Sequence, residues 1–379
     1  MRVCVIGGGA IGSAIAMFLG RLGEGRVQVE VVERDPSYAQ ASSALSASSI
    51  RQQFSNAINV RMSQFGLEWV RRFDVGFVES GYLFLAGSEA GAAELRARQA
   101  MQQQLDAPVV LLSPVEAAAR FPWLRVDDLQ LASLGVGGEG WFDGYAFTQA
   151  LKHEAQALGA RYRRDEVIGL PRDGRHIRHA ELRSGERIDA DIFVNAAGPW
   201  ARQLAALAGL QVPVFGRRRT VFHLSCPTAL PRTPLVIDTS GVWFRSEGTG
   251  FLAGWSPGEG DADPDDLPLD ADLALFEDRV WPALAARVPA FEALRVERAW
   301  AGYYEVHPLD HNALIGPHPE AGNLLLCNGF SGHGLQHAPA AGRGIAELAL
   351  SGGYRTLDLS PFGFERVLRG QPFVEAGVI

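Results

Sequence analysis

The run Val3-Cys4-Val5-Ile6-Gly7-Gly8-Gly9-Ala10-Ile11-Gly12-Ser13 constrains the fold more than any other stretch. Val3 to Ile6 is short and continuously apolar, as a parallel strand buried on both faces must be. The glycine turn comes next, then apolar residues at helical spacing: Ile15, Phe18, Leu19 and Leu22. A second apolar run, Val27 to Val32, ends in Glu33. This is a βαβ opening with the Gly7-x-Gly9-x-x-Gly12 fingerprint of an adenine dinucleotide site. Gly7 permits the tight turn, Gly9 lets backbone approach a pyrophosphate, and Gly12 lets the helix pack on the strand. The helix N-terminus offers free N–H groups to the phosphates. Glu33 lies 21 residues past Gly12, where a carboxylate can bind a ribose hydroxyl and disfavours a 2′-phosphate. Gly135-Val136-Gly137-Gly138-Glu139-Gly140 has the same spacing. No helical run or second strand ending in an acid follows it, so it reads as a loop.

The 379 residues fit about two domains. The net charge of -8 argues against a general nucleic-acid binder. Lys152 is the only lysine, so lysine chemistry has one candidate. Cys4, Cys226 and Cys327 are scattered and give no disulfide framework, zinc site or dithiol centre. Met1 to Gly20 superficially resembles a signal peptide, but its glycines would break the signal helix. No apolar run is long enough to span a membrane, so a cytoplasmic location is the default expectation.

Strands alternate with helices at both ends of the chain. Asp191 to Asn195 runs into Ala196-Ala197-Gly198-Pro199-Trp200, and Asn323 to Cys327 into Gly329-Phe330-Ser331-Gly332-His333-Gly334. Both look like strands returning to the first sheet, with a last helix from about Pro339. Segments from Val212 to Trp255 read as antiparallel strands, and Leu273 to Val288 as a helix. The expected fold is α/β: a doubly wound, Rossmann-type dinucleotide-binding domain with an inserted α+β antiparallel-sheet substrate domain. Residues 1-75, 140-210 and 300-379 form the first domain, and 76-139 and 211-299 the second.

Three motifs, at Val5 to Ser13, Val194 to Trp200 and Gly329 to Gly334, make the chain resemble the D-amino-acid oxidase superfamily of FAD-dependent oxidoreductases. Glycine oxidase and sarcosine oxidase belong to it. Ser49 to Ser55, Trp300 to Glu305 and Gly332 to Gln336 look closest to the branch of the mitochondrial complex I assembly FAD-dependent oxidoreductase. The resemblance implies FAD contacts at Ala10 and Ile11 with the pyrophosphate and at Glu33 and Arg34 with the ribose. Ser42, Ser43, Ser48, Ser49 and Ile50 would run along the cofactor, and Val167 would meet the adenine. Ala197 and Gly198 belong to the second glycine turn. Phe330, Ser331, Gly332, His333, Gly334, Leu335 and Gln336 would wrap the flavin pyrimidine end.

The departures matter too. The cysteine that tethers flavin in sarcosine oxidase is absent from Gly302-Tyr303-Tyr304, and the tethering histidine of the dimethylglycine dehydrogenase branch is replaced near Ser46. Non-covalent FAD is expected. The oxygen-activating lysine of sarcosine oxidase aligns near Leu252, and the family's carboxylate anchors align with Tyr304 and Gln336.

Amine oxidation asks the protein to orient a neutral amine for hydride loss. Arg51, which directly follows the cofactor loop, is the first candidate to hold a substrate carboxylate. Tyr303, Tyr304 and His333 complete the candidate catalytic set, with His307 as a further candidate base. Arg219, Arg245 and Gln336 are candidate substrate contacts. Asp261, Asp263, Asp265 and Asp266 lack the glycine and terminal Glu of a calcium loop, so no metal is expected. The expected activity is oxidation of the C–N bond of an amino acid or secondary amine to an imine. Its partners would be that small molecule and an electron acceptor. The alternative is a non-catalytic flavoprotein acting in assembly. A nicotinamide-using flavin reductase would show a second fingerprint or a redox CxxC, and neither is present.

Overall fold

A computed structural model describes residues 1–258 and 260–377. The first sheet has six strands, in the order 314–318, 321–328, 192–195, 2–6, 28–33 and 161–164. All neighbours are parallel except the edge pair Leu314–His318 and Ala321–Asn328. Helix Ala10–Gly23 crosses helix Gly334–Ser351 so closely that a Cβ on Gly342 would sit 2.7 Å from Ala14. The apolar strand and helix residues foreseen near the N-terminus, Val3, Val5, Ile15, Phe18 and Leu19, are all in the core.

The second sheet has eight strands, in the order 295–306, 215–225, 250–255, 242–247, 235–237, 82–86, 131–135 and 109–112. It is antiparallel throughout, apart from the parallel pair Leu235–Ile237 and Tyr82–Ala86 that joins its two chain segments. Strand Arg295–Val306 pairs with Phe215–Ser225 from end to end. The expected boundary at 299/300 therefore falls inside one strand, and residues 300–306 lie in the second sheet. Their register, Phe215 opposite Val306, leaves no break at which to divide them.

Three local expectations change. The last helix begins at Gly334, with Pro339 inside it rather than at its first turn. The Leu273 to Val288 stretch is a π-helical turn, Phe276–Val280, followed by helix Trp281–Arg287. The serine-rich loop contains a short helix, Ser42–Leu45, and a two-residue strand, Ser49–Ile50, paired with Gly140–Trp141.

Glu139, in the second glycine-rich stretch, is fully buried. Its carboxylate accepts from the N–H groups of Gln52 (2.6 Å), Gln53 (3.1 Å) and Tyr82 (3.1 Å), and from Gln53 Nε2 (3.0 Å). That stretch is a loop, as its context implies, and its acid organises the chain beside Arg51. Glu139→Ala strands three buried N–H donors and should lower unfolding free energy by about 3–5 kcal/mol. Urea denaturation checks this.

Candidate functional site

One cavity of about 490 Å³ runs between the two sheets, from the first glycine turn to the start of the last helix. At one end lie Gly7, Gly9, Ala10 and Ile11, with Glu33, Arg34 and Val167. Glu33 is fixed from both sides: Oε2 accepts from Gly8 N–H and Oε1 from Asp35 N–H, each at 2.8 Å. The Arg34 guanidinium lies 3.8 Å from the Trp200 ring centre. Ser42, Ser43, Ala197 and Gly198 also line the cavity. At the far end are Gly332, Gly334, Leu335, Tyr303, Tyr304 and Arg219.

The walls fit a dinucleotide. Gly12 packs too tightly on the first strand for any side chain, since its Cβ would lie 1.8 Å from Gly7 O. Gly9, in contrast, has nothing nearer than Ser43 Oγ at 3.6 Å, and a Cβ there would enter the cavity. Helices Ala10–Gly23 and Gly334–Ser351 both start without a side-chain cap, so two N-termini open on one cavity. Such ends favour negative charge. Tyr38 OH, Ser42 Oγ and Ser256 Oγ are cavity-wall hydroxyls buried without hydrogen-bond partners. A polar ligand would satisfy them.

Other candidates stand behind the wall. Ser49 and Ile50 are strand residues, Ser48 takes a left-handed turn, and Phe330 and Ser331 are buried in the last glycine turn. Gln336 Oε1 accepts from Arg51 N–H at 2.9 Å and from Ser63 Oγ at 3.1 Å. Its amide oxygen is committed to the protein rather than to the cavity. His333 Nε2 lies 3.0 Å from Arg51 Nη2, so it accepts from that guanidinium. Burial, then the Arg51 charge, holds His333 well below the usual histidine range. So low a basicity, with the Nε2 lone pair taken by Arg51, makes it a poor proton acceptor. His307 is tied to Asp310 at 2.9 Å, within a network that includes Arg366.

Arg245 is spent on Glu247 and on the carbonyl of Ala47, at 2.9 Å from the latter, and so pins the cofactor loop to the second sheet. Arg219 does reach the cavity, but Asp263 holds it bidentately at 2.6 and 2.8 Å. Its guanidinium lies 5.3 Å from the Tyr304 ring centre. The other acids of that loop are also paired: Asp261 with Arg279, Asp265 with Arg217, and Asp266 with Arg202. No metal-ligating cluster occurs among the described residues. Tyr303 OH donates to Leu267 O at 2.5 Å and secures the same loop.

Arg51 is 1% exposed, and its Nη1 has no partner. Nη2 reaches His333 and the carbonyl of Gly377. Among the described residues there are four buried arginines. Arg245, Arg287 and Arg366 each form an ion pair with a carboxylate, whereas Arg51 forms none with the described residues, and the acids that act on its charge are Glu375 and Glu139.

Comparison with known proteins decides the cofactor. Residues 2–348 match the family described as DAO, FAD dependent oxidoreductase. The chain belongs to that family. This member is 40% identical to FAD-dependent oxidoreductase domain-containing protein 1 of Bos taurus, covering 97% of this chain and 85% of that protein. Glycine oxidase of Geobacillus kaustophilus is 26% identical, with 96% of each chain covered. The structure of L-proline dehydrogenase from P. horikoshii superposes with a TM-score of 0.86 at 28% identity, covering 98% of each chain. The protein is thus an FAD-dependent oxidoreductase, and the walls of the cavity fit that cofactor. No helix among the described residues is long and apolar enough to cross a membrane.

The described cavity wall holds neither cysteine nor histidine, the two tethering residue types considered above. Acid precipitation of this DAO-family protein should therefore release its yellow colour into the supernatant. Flavin retained in the pellet would contradict that.

Glu139 and Glu305, a buried acid on the cavity wall, were not singled out as candidates by the sequence. Each lies in a stretch that the sequence marks for other reasons, and its own role is set by partners distant in the chain.

Proposed function

We propose that this protein oxidises the C–N bond of an amino acid or secondary amine that carries a carboxylate. FAD, when bound, supplies the hydride acceptor at its N5 atom. Arg51 carries the reading. A buried guanidinium that forms no ion pair with the described residues, its charge met only at longer range by Glu375 and Glu139, is costly, and an arriving carboxylate would offset part of that cost. The carboxylate would take Nη1, the nitrogen left without a partner. Arg51 stands behind the described wall, so substrate entry requires that wall to yield. Tyr304 and the apolar cavity wall would shield the reacting carbon from water. The amine must enter neutral, and the imine formed then hydrolyses in solution.

The relatives named above, a glycine oxidase and an L-proline dehydrogenase, support an amino-acid substrate over a non-catalytic role. The electron acceptor is oxygen or a partner. The only lysine, Lys152, lies beside Tyr38 and Tyr162, its Nζ 5.3 Å from each ring centre. Tyr38 itself lines the cavity. The test is anaerobic bleaching of the flavin by N-methyl, cyclic, and D- or L-amino acids. Admitting air to the bleached protein then separates oxidase from dehydrogenase. No bleaching by any member would remove the proposal.

A further inference from the structure

Glu305 is an acid in an unusual place. Strand Arg295–Val306 carries it to the cavity wall, where it is 8% exposed. Three glycines surround it. Oε2 accepts from Gly329 N–H at 3.1 Å. A Cβ on Gly334 would lie 3.3 Å from Oε1, and one on Gly198 would lie 3.8 Å from Oε2. Among the described residues no arginine, lysine or histidine forms an ion pair with it. It stands at the end of the cavity where helix Gly334–Ser351 begins.

We propose that Glu305 is a proton-uptake site of the flavin pocket, binding a proton when negative charge arrives at this end of the cavity and releasing it when that charge leaves. A buried carboxylate without a cation is a poor place for an anion, and a second negative charge nearby makes it poorer. Burial pushes the Glu305 carboxyl up to about 7, against the lowering effect of the Gly329 and Phe330 backbone. It is therefore poised near neutrality, where added charge tips it to the acid form.

The surrounding titratable groups do not compete. The Cys327 thiol, on strand Ala321–Asn328, is pushed well above its ordinary value by burial and by Glu305 itself. Tyr304, on the same strand as Glu305, is raised by burial. His333, from the last glycine turn, is held neutral. His307, two residues on, is bound to Asp310. The nearest cavity cation, Arg219, is neutralised by Asp263. Glu305 is the acid on this end of the wall that can change charge.

The balance is simple. Two-electron reduction places one proton on the cofactor. A second goes from water to Glu305, whose charge falls to zero. This proposal rests on FAD binding alone, so it stands or falls independently of the amine panel.

The test is a count of protons taken up during anaerobic reduction of the FAD-loaded protein by electrons from an electrode through a viologen mediator, with the counter-electrode in a separate compartment, in weak buffer with an indicator dye, at about pH 8. The native protein should take up roughly two protons per FAD and Glu305→Gln roughly one, because a neutral amide cannot gain a proton. A native count near one overturns the proposal, whether or not the variant folds. Equal counts in native and variant overturn it too. A merely structural role would change FAD retention and leave the count unchanged.

Discussion

Arg51→Met should lower kcat/KM for an amino-acid substrate by about a thousandfold, since a lost buried charge pair is worth about 3–5 kcal/mol. Oxidation of the corresponding amine without a carboxylate should be nearly unaffected, and that ratio is the diagnostic. Stability should change little. Methionine removes a buried cation that forms no ion pair with the described residues, which favours the variant by about 1–4 kcal/mol, less the attraction of Glu375 and Glu139 that is lost with the charge. It also leaves His333 Nε2 and the Gly377 carbonyl without their donor, at about 1–3 kcal/mol each. These effects nearly cancel. Steady-state kinetics on the matched pair and one thermal melt check both halves. Equal losses on both substrates would show that Arg51 serves the pocket's structure and not the carboxylate.

The second large effect separates two glycines of one motif. Gly12→Ala drives a Cβ to 1.8 Å from Gly7 O, a backbone atom that cannot rotate aside. The strand and helix must part, at a cost of about 4 kcal/mol or more. The protein should be poorly folded and colourless. Gly9→Ala meets only Ser43 Oγ at 3.6 Å, so the apoprotein should melt near the native temperature. Its Cβ stands where the pyrophosphate belongs, and FAD affinity should fall at least about tenfold, equivalent to about 1.4 kcal/mol. Flavin absorbance per protein and a melt of each apoprotein read the two outcomes. If Gly9→Ala also failed to fold, the assignment of that glycine to ligand approach would be wrong.

What the sequence made legible is what is local. The opening βαβ unit needs only a strand, a glycine turn and a helix within 33 residues, and all are present as expected. What escaped is set by distant partners. Glu139 meets Gln52 across 87 positions, and Arg51 meets His333 across 282. No spacing rule links such residues. Arg219 was a fair substrate candidate until Asp263, 44 positions on, claimed its guanidinium. Pro339 misplaced the start of the last helix because proline favours a first turn, while packing against Ala10–Gly23 extends that helix back to Gly334. The strand start at Arg295–Glu297 is exposed and has one apolar residue, Val296, between two charged ones, so no sustained apolar alternation marks it.

The most direct test of the central claim compares amino acids with their decarboxylated counterparts, such as proline with pyrrolidine and sarcosine with dimethylamine. Flavin bleaching is followed anaerobically by stopped flow. The account predicts that at least one amino acid bleaches the flavin and that its decarboxylated partner is slower by orders of magnitude. Equal bleaching by both members of each pair would contradict it.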